Sequence, residues 1–120
     1  MRGIHSFTDL YEWQRGHELV LLIYKLTQKF PTTELFGLIN QIRRAVISIT
    51  SNIAEGFGRE SKLEKIRFLY IAIGSLAEVR SQLIVARDLK FITGKDFEIA
   101  DALASEVHTL IFGSIKRLKS

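Results

Sequence analysis

LINQIRRAVISITSNIAEGFGRE, residues 38–60, has the pattern of an amphipathic helix. Its apolar residues recur every three or four positions, which places them on one side of an α-helix. They are Leu38, Ile42, Ala45 and Ile49, with Ile39, Val46 and Ile53 beside them. The stretch therefore predicts a helix with one buried face.

The same helix carries a polar motif that a simple core helix does not need. Its side chains are Arg43, Arg44, Asn52 and Glu55, with Gly56 closing it. A polar group taken out of water is costly unless it gains a hydrogen-bond partner, so each side chain must find a partner or face solvent. Gly56 is predicted to end the helix in the left-handed conformation that glycine adopts at helix ends.

The whole chain divides into four predicted helices, at about residues 8–30, 34–56, 61–90 and 94–118. Pro31 ends the first, because the residue before proline is pushed out of helical geometry. Ser61 and Thr93 are N-cap residues for the last two. Gly74, inside the third, predicts close approach of a neighbouring helix. Short loops then favour an all-α fold, an antiparallel up-down-up-down four-helix bundle forming a single domain over residues 1–120.

Composition supports a compact and self-associating chain. The 120 residues are 47% hydrophobic, with one proline and no cysteine. Four amphipathic helices share one core, so an apolar surplus of this size predicts a subunit interface in a homo-oligomer. The absence of cysteine excludes disulfides and thiolate metal sites and fits a reducing compartment.

No segment reads as a targeting or membrane-spanning sequence. The start of the chain lacks a basic region followed by a long apolar run. The longest strongly apolar run, residues 19–24, is far shorter than the roughly 20 residues that a membrane helix needs. We expect a cytoplasmic protein with no membrane partner.

Several motifs carry a resemblance to a known family. They are Gln41 to Ala45, Ser48, Ser51 to Gly56 and Arg59, together with Phe7, Asp9-Leu10, Trp13, Phe30-Pro31, Glu34, Gly74-Ser75-Leu76 and Glu78. In these positions the chain closely resembles the bacterial four-helix-bundle family encoded in 23S rRNA intervening sequences. The resemblance covers nearly the whole chain. It implies a helical bundle that assembles into a ring-like homopentamer and has no established enzymatic activity.

Two interpretations apply to the polar motif. Antiparallel pairing of the second and third helices predicts that Arg43 or Arg44 pairs with Glu78, at their seam or across a subunit boundary. The alternative is that these arginines contact phosphate. Asn52 and Glu55 are read either as groups that bond loop amides at the helix end or as part of a polar binding rim.

Basic residues occur in two clusters. Arg59, Lys62 and Lys65 follow the second helix, and Lys116, Arg117 and Lys119 end the chain. Cations at a helix C-terminus complement the helix dipole, so the second cluster has a structural interpretation as well. Arg2 and His5 on the N-terminal arm are solvated or add to this basic surface. In an oligomer, symmetry multiplies these charges, and the net charge of +4 then permits RNA or DNA as a partner.

Enzymatic chemistry finds no support in the sequence. His5, His17 and His108 show no spacing typical of a metal site in a bundle core. No nucleophile elbow and no glycine-rich phosphate loop is present. We predict no catalytic residue, no metal and no cofactor.

Two functions stay open at this point. In the first, the protein binds nucleic acid, such as the rRNA region in which genes of the family lie. A related branch, the accessory proteins of diversity-generating retroelements, is similar to basic rings that partner a reverse transcriptase and nucleic acid. In the second, the ring is a scaffold that holds a protein partner and has no direct nucleic-acid role.

Overall fold

The computed structural model describes residues 3–120, and its regular structure is entirely helical. The four helices are α1 (Tyr11–Thr27), α2 (Asn40–Phe57), α3 (Lys62–Asp88) and α4 (Gly94–Lys119). Each packs on the next along the chain, and α1 also packs on α4. The prediction of an all-α four-helix bundle is confirmed.

The core is built from the aliphatic stripes that the sequence pattern identified. The largest side chains with essentially no exposed surface are Leu19, Ile23, Ile42, Ile49, Ile53, Leu76, Leu83, Ile111 and Ile115. All four helices contribute to this set. Burying an aliphatic side chain of this size stabilises a fold by about 1.5–3 kcal/mol, so the shared core is the main source of stability.

Short irregular turns precede both of the first two helices. Phe7–Asp9 form a 3-10 turn, and the extended Leu10 separates it from α1. The Ser6 hydroxyl accepts from the Thr8 amide, and the Asp9 carboxylate accepts from the Ser6 amide, so this turn has its own cap. A 3-10 turn at Thr32–Glu34 and a π-helical turn at Leu35–Ile39 lead into α2.

The end of α2 differs from the prediction. The helix runs through Gly56 to Phe57, and Gly58 caps it with right-handed geometry. Across residues 3–120 the one residue with positive φ is Lys90, at φ 64°, where the Phe91 amide reaches back to the Ala86 carbonyl after α3. The predicted left-handed role of Gly56 is therefore wrong, and the left-handed turn belongs to the end of α3.

Gly56 instead permits close packing of α2 on α3. A Cβ at this position would stand 3.0 Å from the Phe68 Cβ and 3.3 Å from the Lys65 carbonyl oxygen. Gly74, for which close approach was predicted, is exposed and has no atom within 4 Å of a built Cβ. The prediction of a close approach was thus wrong for Gly74, because this residue lies on the outer face of α3.

The outer face of α3 is also unusually apolar. Tyr70, Ile71, Ile84 and Val85 are exposed there, although the opposite face of the same helix lies in the core. By length and composition, Lys62–Asp88 could cross a membrane, and it is the one helix of residues 3–120 that could. Core helices of bundles share that property, and α3 here packs against α2 and α4.

An ion pair holds α1 to α4 at the surface. The Arg15 guanidinium donates to Glu106 at 2.7 and 2.9 Å and also contacts Glu18. The hydrogen bonds from Arg15 hold the pKa of the Glu106 carboxyl below its usual value, and those to Glu106 raise the pKa of Arg15. Both side chains are partly exposed, so solvent screens the pair.

A matched pair of glycine substitutions tests the packing of α2 on α3. We expect Gly56→Ala to lower the free energy of unfolding by about 1 kcal/mol or more, because the new methyl group crowds the Phe68 Cβ and the Lys65 carbonyl of α3. Gly74→Ala meets open space and should raise it by about 0.5–1 kcal/mol. Urea unfolding followed by circular dichroism measures both. A Gly56→Ala protein as stable as the wild type would contradict this packing.

The Arg15–Glu106 pair predicts a small pH dependence of stability. Because the folded-state pKa of Glu106 is lowered, its contribution is present above the usual carboxylate pKa of 4.5 and is lost as the pH falls through the folded-state value. Glu106→Gln should therefore lower Tm at neutral pH and low salt, and the difference from the wild type should vanish in acid. Glu98→Gln, on an exposed residue of α4, is the control. A Tm difference independent of pH would rule out the proposed linkage.

Candidate nucleic-acid interface

The bundle brings four chain segments to one end. These are the start of α1, the end of α2, the start of α3 and the end of α4. Lys119 Nζ donates to the Tyr70 hydroxyl at 2.9 Å, which ties the end of α4 to the first third of α3. Lys65 Nζ donates to the Phe57 carbonyl at 2.8 Å, which ties α3 to the end of α2. Residues far apart in sequence thus form one surface.

We call this surface the basic end, and it contains both predicted basic clusters. Its six cations are Arg59, Lys62, Lys65, Lys116, Arg117 and Lys119. Lys62 and Lys116 are exposed, and neither ammonium group has an ion-pair or hydrogen-bond partner within residues 3–120. Such an ammonium group can contact an anion without giving up a contact within the described chain.

The other cations of the basic end make local contacts. Arg59 lies 3.8 Å from the Glu55 carboxylate and stacks over the Phe68 ring at 4.7 Å. Arg117 donates to the Ser114 hydroxyl at 2.9 Å. These are weak or neutral partners, and the cationic groups therefore keep much of their electrostatic field.

Acids at the same end moderate the charge. Glu60 and Glu64 flank the cap residue Ser61, and Glu64 lies 3.6 Å from Arg67. A surface with both signs interspersed binds phosphate more weakly than a uniform basic patch of the same size. The basic end is accordingly a moderate electrostatic site in one chain.

Within the polar motif of α2, Arg43 faces α1 rather than α3. Arg43 Nε donates to the Thr27 hydroxyl at 2.9 Å, and its guanidinium lies 4.5 Å from the centre of the Tyr24 ring. The predicted seam pairing of Arg43 with Glu78 is therefore wrong, because Arg43 lies on the flank of α2 that faces α1. Glu78 instead accepts from Gln82 at 3.4 Å.

Arg44 and Glu78 are both exposed, and no ion pair within 4 Å joins them inside the described chain. The Ser48 and Ser75 hydroxyls lie 2.8 Å apart, which fixes the register of α2 against α3. Arg44 precedes Ser48 by one turn and Glu78 follows Ser75 by about one turn, so the two charges lie at similar heights. Pairing of Arg44 with Glu78 across a subunit boundary stays a prediction.

Asn52 has a different role from the one predicted. Its amide donates to the Ser48 carbonyl at 2.8 Å and to the Ser48 hydroxyl at 3.0 Å. Asn52 therefore extends the Ser48–Ser75 contact rather than bonding loop amides, and Glu55 pairs with Arg59. The prediction of loop-amide bonds was wrong because α2 continues past Glu55. The four-residue spacing of Ser48 and Asn52 is the sequence signal for the hydrogen bonds between them.

The sequence motifs do not single out Glu12, an acid in the first turn of α1. This side chain is 5% exposed, and its Oε2 accepts from the Ser114 hydroxyl of α4 at 2.5 Å. The one available signal was its spacing with Gly16, Leu19 and Ile23, which places it on the buried stripe of α1.

Two of the three histidines pack against aromatic rings. His17 stacks parallel to Trp13 at 4.9 Å, and His108 packs on Phe112 at 4.7 Å. Within residues 3–120, no three His, Cys, Asp or Glu side chains are grouped so that they could hold a metal ion. His5 is exposed on the N-terminal arm, and Arg2 lies outside the described residues.

Comparison with known proteins identifies the family. A crystal structure of a protein of unknown function from the S23 ribosomal protein family of Bacteroides thetaiotaomicron shares the fold, with a TM-score of 0.81 and 24% identity. The match covers 88% of this chain and 98% of that one. No curated protein matches the chain. The family model for the 23S rRNA-intervening sequence protein matches residues 8–113, and the chain therefore belongs to that family.

Proposed function

We propose that the protein is a non-enzymatic nucleic-acid-binding module that contacts phosphate through the basic end. The observation that carries this proposal is the convergence of two distant basic clusters on one end of the bundle. Lys62 and Lys116 supply exposed ammonium groups without partners in the described chain, one from each cluster. Phosphate recognition without base contacts needs only such cations, placed where a backbone can reach them.

The binding energy in this proposal is mainly electrostatic. Each phosphate that a lysine or arginine neutralises releases counterions, so affinity falls steeply with salt in proportion to the number of phosphates bound. One chain offers few unpartnered cations, and its acids oppose them. Strong binding therefore requires several copies of the basic end acting on one nucleic acid.

Self-association would supply those copies, and we propose a homo-oligomer, a pentameric ring as the family resemblance implies. Two features of the chain support it. The outer face of α3 exposes two apolar pairs, Tyr70 and Ile71 near its start and Ile84 and Val85 near its end. Arg44 and Glu78 flank this region with opposite charges and no partner for Arg44 in residues 3–120. A second copy would cover these apolar pairs and pair the charges.

A scaffold that holds a protein partner is the second candidate function. Phe36, in the π-helical turn, is 91% exposed, and Leu63, at the start of α3, is 81% exposed. Large apolar side chains this exposed are typical of contact sites for proteins. In this alternative the cations serve solubility, and RNA binding is absent or insensitive to their removal.

Salt titration with two matched variants separates the candidates. We expect the wild type to bind a hairpin RNA and a duplex DNA, with affinity falling steeply between about 50 and about 200 mM salt. Replacing Lys62, Lys116 and Lys119 by glutamine should reduce the salt slope by about 0.7–0.9 for each phosphate that is no longer neutralised. Fluorescence anisotropy on oligomeric protein freed of nucleic acid measures this.

The control replaces Lys25, Lys29 and Lys95, three lysines near the opposite end, by glutamine. It removes the same charge, and we expect it to leave most of the affinity. An equal fall in affinity in both triple variants would mean that net charge alone drives binding. No binding at low salt by the assembled wild type would favour the scaffold.

A charge reversal tests the subunit boundary. Arg44→Glu or Glu78→Arg alone should weaken self-association, because each places like charges together. The double variant should restore it. Light scattering coupled to size-exclusion chromatography reports the mass, and circular dichroism confirms that the bundle is folded. A folded Glu78→Ala oligomer of unchanged mass and stability would contradict the pair.

A further inference from the structure

The basic end contains a cleft that phosphate binding alone does not use. It has a volume of about 580 Å³ and lies where the start of α1 meets the ends of α2 and α4 and the start of α3. Leu10, Ile53, Leu69 and Leu118 form apolar parts of its lining. Clefts of roughly 300–1,000 Å³ with mostly apolar walls are typical of sites for small molecules or single chemical groups.

Glu12 places a carboxylate in this apolar lining. It is 5% exposed, and within residues 3–120 no cation lies within 4 Å of it to form an ion pair. Arg117 donates to the Ser114 oxygen at 2.9 Å, which leaves the Ser114 hydroxyl proton to be donated to Glu12 Oε2 at 2.5 Å. The carboxylate is thereby held in one orientation.

The other oxygen of Glu12 remains available. Glu12 Oε1 accepts no hydrogen bond from the described residues. It is not completely buried, because Gln82 Oε1 is the one side-chain nitrogen or oxygen atom in those residues that is both buried and without a partner. Glu12 Oε1 therefore keeps access to a molecule in the cleft. A largely buried carboxylate with one hydrogen-bond partner and no ion pair favours a ligand that brings N–H donors.

Two cations line the same cleft. Lys65 Nζ holds the Phe57 carbonyl at 2.8 Å and lies 5.6 Å from the centre of the Phe57 ring. Arg117 is exposed. Phe57 and Tyr11 add aromatic surface to the lining. Lys65 retains two further N–H donors that the Phe57 carbonyl does not use.

This combination selects among ligand classes. An apolar amine would suit Glu12 but would meet the positive charge of Lys65 and Arg117. An apolar acid would suit the cations but would be repelled by Glu12. The cleft therefore suits a ligand that carries N–H donors, an anionic group and a flat apolar body. A nucleotide is such a ligand, because its base would fill the cleft, its N–H groups would face the carboxylate and its phosphate would face the cations.

We propose that the cleft receives the base of a guanine nucleotide, as an unpaired guanine of a bound strand. Guanine presents N1–H and the N2 amino group side by side, and a carboxylate can accept from both. In Glu12 this would use Oε1 and the lone pair of Oε2 that the Ser114 hydrogen bond leaves over. Adenine and cytosine place a ring acceptor beside their amino group, and uracil flanks N3–H with carbonyls, so each would face the carboxylate with a repulsive lone pair. This inference rests on the proposed function and adds base preference to it.

The test compares hairpin RNAs that differ only in one unpaired loop base. We expect the wild type to bind the guanine hairpin about tenfold more tightly than the adenine hairpin. Inosine lacks the N2 amino group and should fall between them. Glu12→Gln keeps the shape but replaces one acceptor oxygen with a donor, so the ratio of guanine to adenine affinity should fall to about one.

Glu60→Gln is the matched control, since it removes an exposed carboxylate at the same end and should leave the ratio unchanged. If Glu12→Gln does not fold, as judged by circular dichroism, Leu118→Trp fills the cleft and should also abolish the guanine preference. A wild type without base preference, or a preference that survives both variants, would overturn the inference while leaving phosphate binding intact.

Guanosine monophosphate alone separates the inference from the proposed function. If the protein binds no RNA but binds this nucleotide in a Glu12-dependent manner by calorimetry, the proposed function fails and the cleft assignment stands for a free nucleotide. If it binds neither, both fail. Binding of the free nucleotide that is weaker than that of the guanine hairpin supports an unpaired base within a strand.

Discussion

The close contact between α2 and α3 is the constraint on which the rest of the structure depends. Gly56 lets the end of α2 approach α3 so closely that a Cβ there would stand 3.0 Å from the Phe68 Cβ and 3.3 Å from the Lys65 carbonyl oxygen. The Ser48–Ser75 contact, further along the same pair, fixes their register. The turn that joins α2 and α3 lies at one end of the bundle. The start of α1 and the end of α4 lie at that same end.

That arrangement gives the basic end its composition. The start of α3 carries Lys62 and Lys65, and the end of α4 carries Lys116, Arg117 and Lys119. Cations are favoured at the end of α4 by its dipole, whereas the start of α3 is an electrostatically unfavourable place for them. Lys65 is an exception, because its Nζ donates to the Phe57 carbonyl at the end of α2, where a cation is favoured. Stability thus explains Lys65 and the cations of α4 but not Lys62, whose ammonium group has no partner in residues 3–120, and this is consistent with a binding role.

The sequence predicted the bundle well because its signals are local. Helical periodicity, Pro31 and the caps at Ser61 and Thr93 each act within a few residues, and the structure shows both caps. Contacts between helices were harder to predict from the sequence. Arg43 turned toward Thr27 rather than Glu78, and Gly56 rather than Gly74 proved to be the close contact, because the choice of neighbour depends on how the helices rotate. Periodicity fixes which face is buried but not which partner lies beside each flank.

The candidate site was predictable only in part, for the same reason. Two basic clusters are visible in the sequence, but their convergence requires the topology. Glu12 resembles an ordinary acid in a first helical turn until Ser114, 102 residues away, is seen to hold it. A buried carboxylate beside exposed cations is therefore a property of the fold rather than of any local motif.

The most direct test of the central claim is to locate the bound nucleic acid on the protein. Ultraviolet cross-linking of a hairpin RNA to the assembled protein, followed by mass spectrometry of the peptides, gives this location. Binding at the basic end predicts cross-links within residues 57–65 and 116–119. Cross-links confined to the opposite end, around Lys29, Lys90 and Lys95, would contradict the claim.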